Sequence, residues 1–254
     1  MSIDLSGKTA LITGATGQLG RVMVQTLAQC GADVIIHYKH NQKHAAVLRA
    51  EIEALGVRGF VATADVGEYD SMMAMKAEIE SNFKLPDIVV TNAVTQIFPW
   101  KTVLEEEVED YDNQFKSCVM QNVHAAKAFV PHMVAQKWGR VIGINTEVSI
   151  QTYETQSAYA AGKKGMDGVL RVLAREVGPD GVTVNQVAPG WTISYKDRQK
   201  GTEIQESYAK TVPLRRRGED SEIANVVAFL GSDLASFITG AFIPVNGGNT
   251  FVGV

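Results

Sequence analysis

Cysteine is all but missing from this chain: Cys30 and Cys118 are the only two in 254 residues. Two isolated thiols build no disulfide framework and no metal spacing, which argues against a small stapled extracellular domain and fits a reducing compartment. No run of about eighteen apolar residues occurs, and no charged leader precedes an apolar stretch. The expectation is a soluble, cytoplasmic protein with no membrane partner. Neither sign of charge dominates, since 24 Lys and Arg against 28 Asp and Glu leave a formal −4. That balance gives no reason to expect nucleic acid. Arg215-Arg216-Arg217 is a local basic run, but acidic residues follow at once and it reads as a solvated loop. His37, His40 and His44 lie close in sequence without a Cys or carboxylate at ligand spacing, so no metal is expected. His124 and His132 read as packing or surface residues of a long helix. Linkers, repeats and low-complexity tracts are absent as well.

Alternation of strand-like and helix-like segments runs through the whole chain. Candidate strands cover 8–13, 33–38, 58–63, 87–92, 139–146, 182–188 and 241–245. Candidate helices cover 18–30, 41–55, 69–83, 111–136, 157–177, 203–210 and 220–231. The strands are short and continuously apolar, as in Ile88-Val-Val90, which is the pattern of a parallel sheet covered on both faces. With 45% hydrophobic residues, the chain suits one α/β domain spanning 1–254. The predicted fold is a doubly wound, mostly parallel seven-stranded sheet with helices on both faces and a ligand site at the carboxyl ends of the strands. The polar stretch 192–211 follows a strand directly and is expected to form a lid.

Two constellations carry chemistry. Tyr159 and Lys163 lie four residues apart in Ser157-Ala-Tyr-Ala-Ala-Gly-Lys163, so one helical face presents both. An ammonium beside a phenol favours the phenolate, which suits Tyr159 to acid–base work near neutral pH. At the other end, the apolar run Lys8–Thr13 breaks into Gly14-Ala-Thr16-Gly17-Gln18-Leu19-Gly20 before a helical pattern begins at Arg21. Strand, glycine turn and helix make a Rossmann-type phosphate site, because glycines let the backbone approach a pyrophosphate at the helix N-terminus.

These pieces, with Asp65-Val66 after the third strand, Asn92-Ala93 after the fourth, Asn122 inside a long helix, Val184-Asn185…Pro189-Gly190 and Ile238-Thr-Gly240…Asn246-Gly-Gly248, resemble the single-domain branch of the short-chain dehydrogenase/reductase family. The group of bacterial 3-oxoacyl-acyl-carrier-protein reductases looks most similar. The resemblance covers nearly the whole chain. It implies hydride transfer between a nicotinamide and a carbonyl or alcohol carbon, with Tyr159 as proton donor and Lys163 lowering its pKa and holding the ribose. It gives Asn122 a water-relay role and puts Thr146, thirteen residues before Tyr159, where the family has a serine that steadies the substrate oxygen. It also implies cofactor contacts from Gly14, Thr16, Gly17, Gln18, Leu19, Gly20, Asp65, Val66, Asn92, Ala93, Tyr159, Lys163, Pro189, Gly190, Thr192 and Ser194. Ser194 stands where relatives place a threonine on the nicotinamide amide, and Asp65 would bond the adenine. Tetramers of 222 symmetry, built on the two long helices and the C-terminal segment, are implied too.

Departures from the family pattern are local. Threonine replaces serine at 146, with Ser149 three residues on. The middle glycine of the turn comes one residue early, at Gly17 with Gln18 behind it. Val94 stands where the family has glycine. At the end of the second strand, Tyr38 and Lys39 occupy the position of the acidic residue that binds the ribose 2′-OH of NAD. No carboxylate there repels a 2′-phosphate and Lys39 pairs with it, so NADP(H) is favoured over NAD(H). The leading reading is an NADP(H)-dependent reductase of a 3-oxoacyl thioester or similar small oxo compound. Alternatives are a dehydrogenase of a sugar, polyol or other secondary alcohol, and an NADP(H)-binding sensor with little turnover. Lys137 suits an acidic carrier protein, whereas Asp180 does not.

Overall fold

The computed structural model describes residues 2–251. Seven parallel strands form one sheet in the order β3-β2-β1-β4-β5-β6-β7. They are β1 Thr9–Ile12, β2 Asp33–Tyr38, β3 Gly59–Thr63, β4 Ile88–Thr91, β5 Gly139–Ile144, β6 Val182–Pro189 and β7 Phe242–Val245. Successive side chains point to opposite faces, so each apolar strand serves two cores. Ala10 and Ile12, Val34 and Ile36, and Ile88 and Val90 enter one core with helices α1 (Gln18–Gln29), α2 (Gln42–Glu53) and α9 (Asp220–Gly231). Leu11, Ile35 and Val89 enter the other, with α3 (Tyr69–Asn82), α5 (Gln121–Ala135) and α6 (Ser157–Val177). Strand order reverses between β1 and β4, and a crevice opens at their carboxyl ends. Gly14 and Asn92 border it.

The predicted helix 111–136 starts earlier and is not uniform. It runs as α4 (Val108–Gln114), a π-helical stretch (Phe115–Met120) and α5. Helix α6 packs tightly against it, since a Cβ on Gly162 would lie 2.9 Å from the carbonyl oxygen of Gln114. That glycine sits beside Lys163 and fixes how closely the two helices approach.

The stretch 192–211 contains more structure than its polarity suggests. Thr192 bridges to Gly218, and two short helices follow, α7 (Tyr195–Lys200) and α8 (Glu206–Thr211). The single helix expected at 203–210 is therefore α8 alone. Helix α7 has its own signals, a capping box between Ser194 and Asp197 and a left-handed Gly201 with φ 64°. Arg217 corrects the solvated-loop reading of the arginine run. It is buried, donating to Asp197 Oδ2, to the carbonyls of Trp191, Thr192 and Thr202, and lying over the Trp191 ring. A planar guanidinium satisfies several loop acceptors at once, which a solvated side chain does not do.

Lys137 and Asp180 also differ from expectation. Each precedes a strand, so both lie at the amino-terminal edge of the sheet, and they pair with each other. No described helix is long and apolar enough to cross a membrane. Of the C-terminal tail expected to meet a neighbour, residues 252–254 lie outside the described residues.

Candidate active site

The glycine turn is built from its glycines outward. Gly14 has φ +61°, and a Cβ there would meet the Ala93 backbone at 3.0 Å; a Cβ on Gly20 would lie 2.3 Å from Gly14 O. Both positions need glycine, whereas Gly17 meets only Gly14 O at 3.1 Å. Helix α1 begins at Gln18 with no side-chain cap, so its first amide groups and the positive end of its dipole face the crevice. Thr16, Gly17 and Gln18 line a hollow there with α7 residues Tyr195 and Arg198. Asn92 holds the turn from β4, its Nδ2 donating to Thr13 O at 2.9 Å and Gly14 O at 3.2 Å. The Ala93 N–H donates to Thr13 Oγ1 at 3.0 Å.

His37 contributes a support that spacing does not announce. Its Nδ1 accepts from the Gly14 N–H at 3.0 Å, which leaves the proton on Nε2 for Ala64 O at 3.1 Å. Burial lowers its pKa from 6.5 to about 4, so the ring is neutral and in one tautomer. Among the described residues no group of three or more His, Cys, Asp or Glu gathers as metal ligands. His124 is likewise a packing group, hydrogen-bonded to Val66 O at 3.1 Å.

At the end of β2, Tyr38 is half-buried and Lys39 is exposed. Lys39 and Asp65, assigned separately to phosphate and adenine, form an ion pair of 2.6 Å. Burial works upward on the Asp65 carboxyl, but Lys39 and the Gly67 N–H hold it below its usual pKa. The side chains of this pair are 51% and 40% exposed, and such pairs contribute about 0–1 kcal/mol.

Tyr159 and Lys163 project from the first turns of α6. The Lys163 side chain is buried, with Nζ 2.6 Å from Ile144 O and 5.8 Å from the Tyr159 ring centroid. The Trp100 ring, on the loop between β4 and α4, lies 5.9 Å from the Tyr159 ring. That loop and its aromatic were not foreseen, because residues 94–107 carry neither helical nor strand periodicity.

Thr146 follows β5 and is buried. Its Oγ1 accepts from the Val148 N–H at 3.3 Å, and a hydroxyl that accepts there keeps its proton for another partner. Ser149 does not substitute for it, since its hydroxyl donates to Thr146 O at 2.9 Å. A buried chain of bonds fixes this segment to α6. Asn145 Nδ2 donates to Lys163 O at 3.1 Å and to Gln186 Oε1 at 2.7 Å, and Gln186 Nε2 donates to Asp167 at 2.7 Å.

Other expected residues prove to be engaged within the fold. Asn122 Oδ1 accepts from the Thr91 hydroxyl and its Nδ2 donates to Cys118 O, both at 2.6 Å. Its amide thus ties the π-helical stretch to β4 and leaves its main chain for any relay. The Ser194 hydroxyl caps α7 and donates to Asp197 Oδ2 at 2.7 Å. Burial works upward on Asp197, yet Arg217 and Ser194 hold it well below the ordinary carboxylate range. Thr192 Oγ1 donates to Gly190 O, and a Cβ on Gly190 would meet the Tyr208 hydroxyl at 2.5 Å. Pro189 ends β6 beneath them. Gln18 Oε1 accepts from the Tyr195 N–H at 2.7 Å, so the glycine turn and α7 are directly linked.

Residues 14–250 match the family model described as enoyl-(acyl carrier protein) reductase. The chain is 34% identical over 241 residues to the 3-oxoacyl-acyl-carrier-protein reductase of Staphylococcus epidermidis, covering 95% of this chain and 98% of that one. Its identity to the Pseudomonas aeruginosa protein of the same description is 36% over 247 residues, covering 97% and 98%. Among solved structures, it is similar to a gluconate 5-dehydrogenase from Burkholderia cenocepacia in complex with NADP and tartrate. There the TM-score is 0.90 and identity 26%, with 99% of this chain and 98% of the other covered.

Proposed function

The chain belongs to the short-chain dehydrogenase/reductase family, and from that membership and the geometry around Tyr159 we propose that it is an NADP(H)-dependent oxidoreductase that reduces a carbonyl group. The observation that carries this reading is Lys163, 5.8 Å from the Tyr159 ring and bonded to Ile144 O at the end of β5, two residues before Thr146. Bound NADP(H) supplies the hydride. Tyr159 delivers the proton to the carbonyl oxygen. Lys163 is anchored on Ile144 O through one of three ammonium protons, which leaves two for the phenol oxygen and a ribose hydroxyl. Thr146 donates a hydrogen bond from its hydroxyl to the same carbonyl oxygen as charge develops there, keeping its proton. Lys39 takes the 2′-phosphate, and the absence of a carboxylate at the end of β2 favours NADP(H) over NAD(H).

The names of the similar reductases support a 3-oxoacyl thioester as substrate. A second reading, dehydrogenation of a polyol or sugar, draws support from the buried carboxylate of Glu147 beside Thr146. We read residues 192–211 as a lid; what supports this is their link to the glycine turn through Gln18 and through Arg21, whose guanidinium lies 4.4 Å from the Tyr195 ring centroid.

Replacing Tyr159 with Phe tests the central assignment. The ring survives and the proton donor is lost, so NADPH oxidation should fall about 10²–10⁴-fold while NADPH affinity holds. Retention of more than half the turnover would remove Tyr159 from the mechanism.

A further inference from the structure

Glu147 follows Thr146 directly and is 4% exposed. One oxygen, Oε1, accepts from the Tyr208 hydroxyl at 3.0 Å and from Asn249 Nδ2 at 3.1 Å. The other, Oε2, is buried and has no hydrogen-bond partner. Both groups that hold Oε1 are uncharged. The Tyr208 hydroxyl is fully employed, because it also accepts from the Trp191 N–H at 2.9 Å. The Tyr153 hydroxyl accepts from the same Asn249 amide at 3.1 Å. Burial first, and then the Glu147 charge, push both phenols above the ordinary tyrosine pKa, so neither releases its proton near neutrality.

The position of this carboxylate decides what it is for. It lies between the segment that carries Thr146 and the lid helix α8, which contributes Tyr208. The Trp191 and Tyr208 rings meet edge to face at 5.5 Å beside it. A buried carboxylate oxygen without a donor is costly, and a donor arriving on a ligand satisfies it. An acyl chain brings no such donor and would seal the carboxylate away unpaired. An anionic substrate would meet a like charge.

We infer that Glu147 selects for a neutral oxo compound bearing a hydroxyl near its carbonyl, a keto-polyol rather than a fatty acyl thioester, by accepting that hydroxyl on Oε2. This rests on the carbonyl-reductase reading above and narrows its substrate. Sites that hydrogen-bond a substrate hydroxyl reject the analogue lacking it by large factors, because their polar groups are then left unpaired.

The test compares NADPH oxidation by wild type, Glu147→Leu and Glu147→Gln on four ketones. They are 1,3,4-trihydroxybutan-2-one, butan-2-one, an acetoacetyl thioester and 1-aminobutan-2-one. Wild type should prefer the trihydroxy ketone to butan-2-one by about 10²-fold or more in kcat/KM. Glu147→Leu should shrink that ratio at least about tenfold, chiefly through KM, with NADPH binding by fluorescence preserved. If the leucine variant does not fold, Glu147→Gln must show a loss in the same direction, and an unchanged ratio there overturns the inference. Preference for the thioester overturns it too, as does preference for the aminoketone, whose donor is a cation rather than a hydroxyl. Should none of the four oxidise NADPH, the carbonyl-reductase reading itself falls; turnover of butan-2-one or the thioester without the expected preference sinks only this inference.

Discussion

At the scale of single residues, the Thr146 hydroxyl is buried after β5 and keeps its proton free, which makes it the atom to interrogate. Thr146→Ser keeps the donor and should keep or raise turnover. Thr146→Val keeps the shape without the donor and should lower kcat about 10²-fold or more, as loss of one oxyanion donor does. A fully active valine variant would place the oxygen with another group; if the protein is a sensor, both variants would leave its low turnover unmoved. Lys39 yields a second prediction from a comparison of magnitudes. The exposed pair with Asp65 contributes about 0–1 kcal/mol, against roughly 1.5–3 kcal/mol for a charge-assisted bond to phosphate. Lys39→Ala should therefore weaken NADPH about ten- to a hundredfold and NADH little, by fluorescence titration. Equal losses would show that Lys39 does not read the phosphate. The placement of Tyr159 and Lys163 on one face of α6, and of Asn92 after β4, was legible in the sequence from helical spacing and strand order. Glu147, His37 and Arg217 were not, because their partners arrive from distant segments that only the fold brings near.

At the scale of elements, the glycine turn depends on a neutral imidazole. His37 has a pKa of about 4 in the folded chain against 6.5 for the ordinary side chain. The unfolded chain thus takes up this proton first, so His37's contribution is complete above about pH 6.5 and declines as pH falls toward 4. The slope from this one group is at most about 1.4 kcal/mol per pH unit. His37→Asn supplies an acceptor for the Gly14 N–H that does not titrate. Urea unfolding of both proteins from pH 7 to 4.5, at fixed protein concentration, should show their stabilities converging as pH drops. Parallel curves would mean that His37 does not titrate in that window. Strands and long helices were legible from apolar runs and period, whereas the π-helical stretch and α7 were not. The first has no periodic signature, and the second is six residues long with a polar surface, so only its caps reveal it.

At the scale of the whole molecule, an apolar groove between α5 and α6 lies uncovered among the described residues. Val130, Val134, Val169, Val172 and Leu173 line it, and Val172 is 56% exposed. Contiguous apolar surface of this kind marks association, and burying it on a second copy about a two-fold axis is one step of the 222 tetramer that the resemblance implies. Light scattering at micromolar concentration should give the mass of four chains, and Val172→Glu should reduce it. A monomer mass for the unaltered protein would overturn the expectation. The sheet class and its seven strands were legible at this scale, because continuous apolar strands alternating with helices admit few other arrangements.

Because all seven strands run the same way, the molecule has two unlike rims. Most candidate catalytic and cofactor residues end or follow a strand, or lie in the first turns of a helix, on one of them, while the turns that lead into strands occupy the other. Gly56, in the turn between α2 and β3, has open space around it. An affinity tag, fluorophore or surface tether spliced in at that turn lies on the rim opposite the strand ends that Tyr159 follows. The protein can therefore be immobilised there with its reactive rim facing solution, which makes the binding and turnover measurements above practicable on a sensor chip as well as in a cuvette.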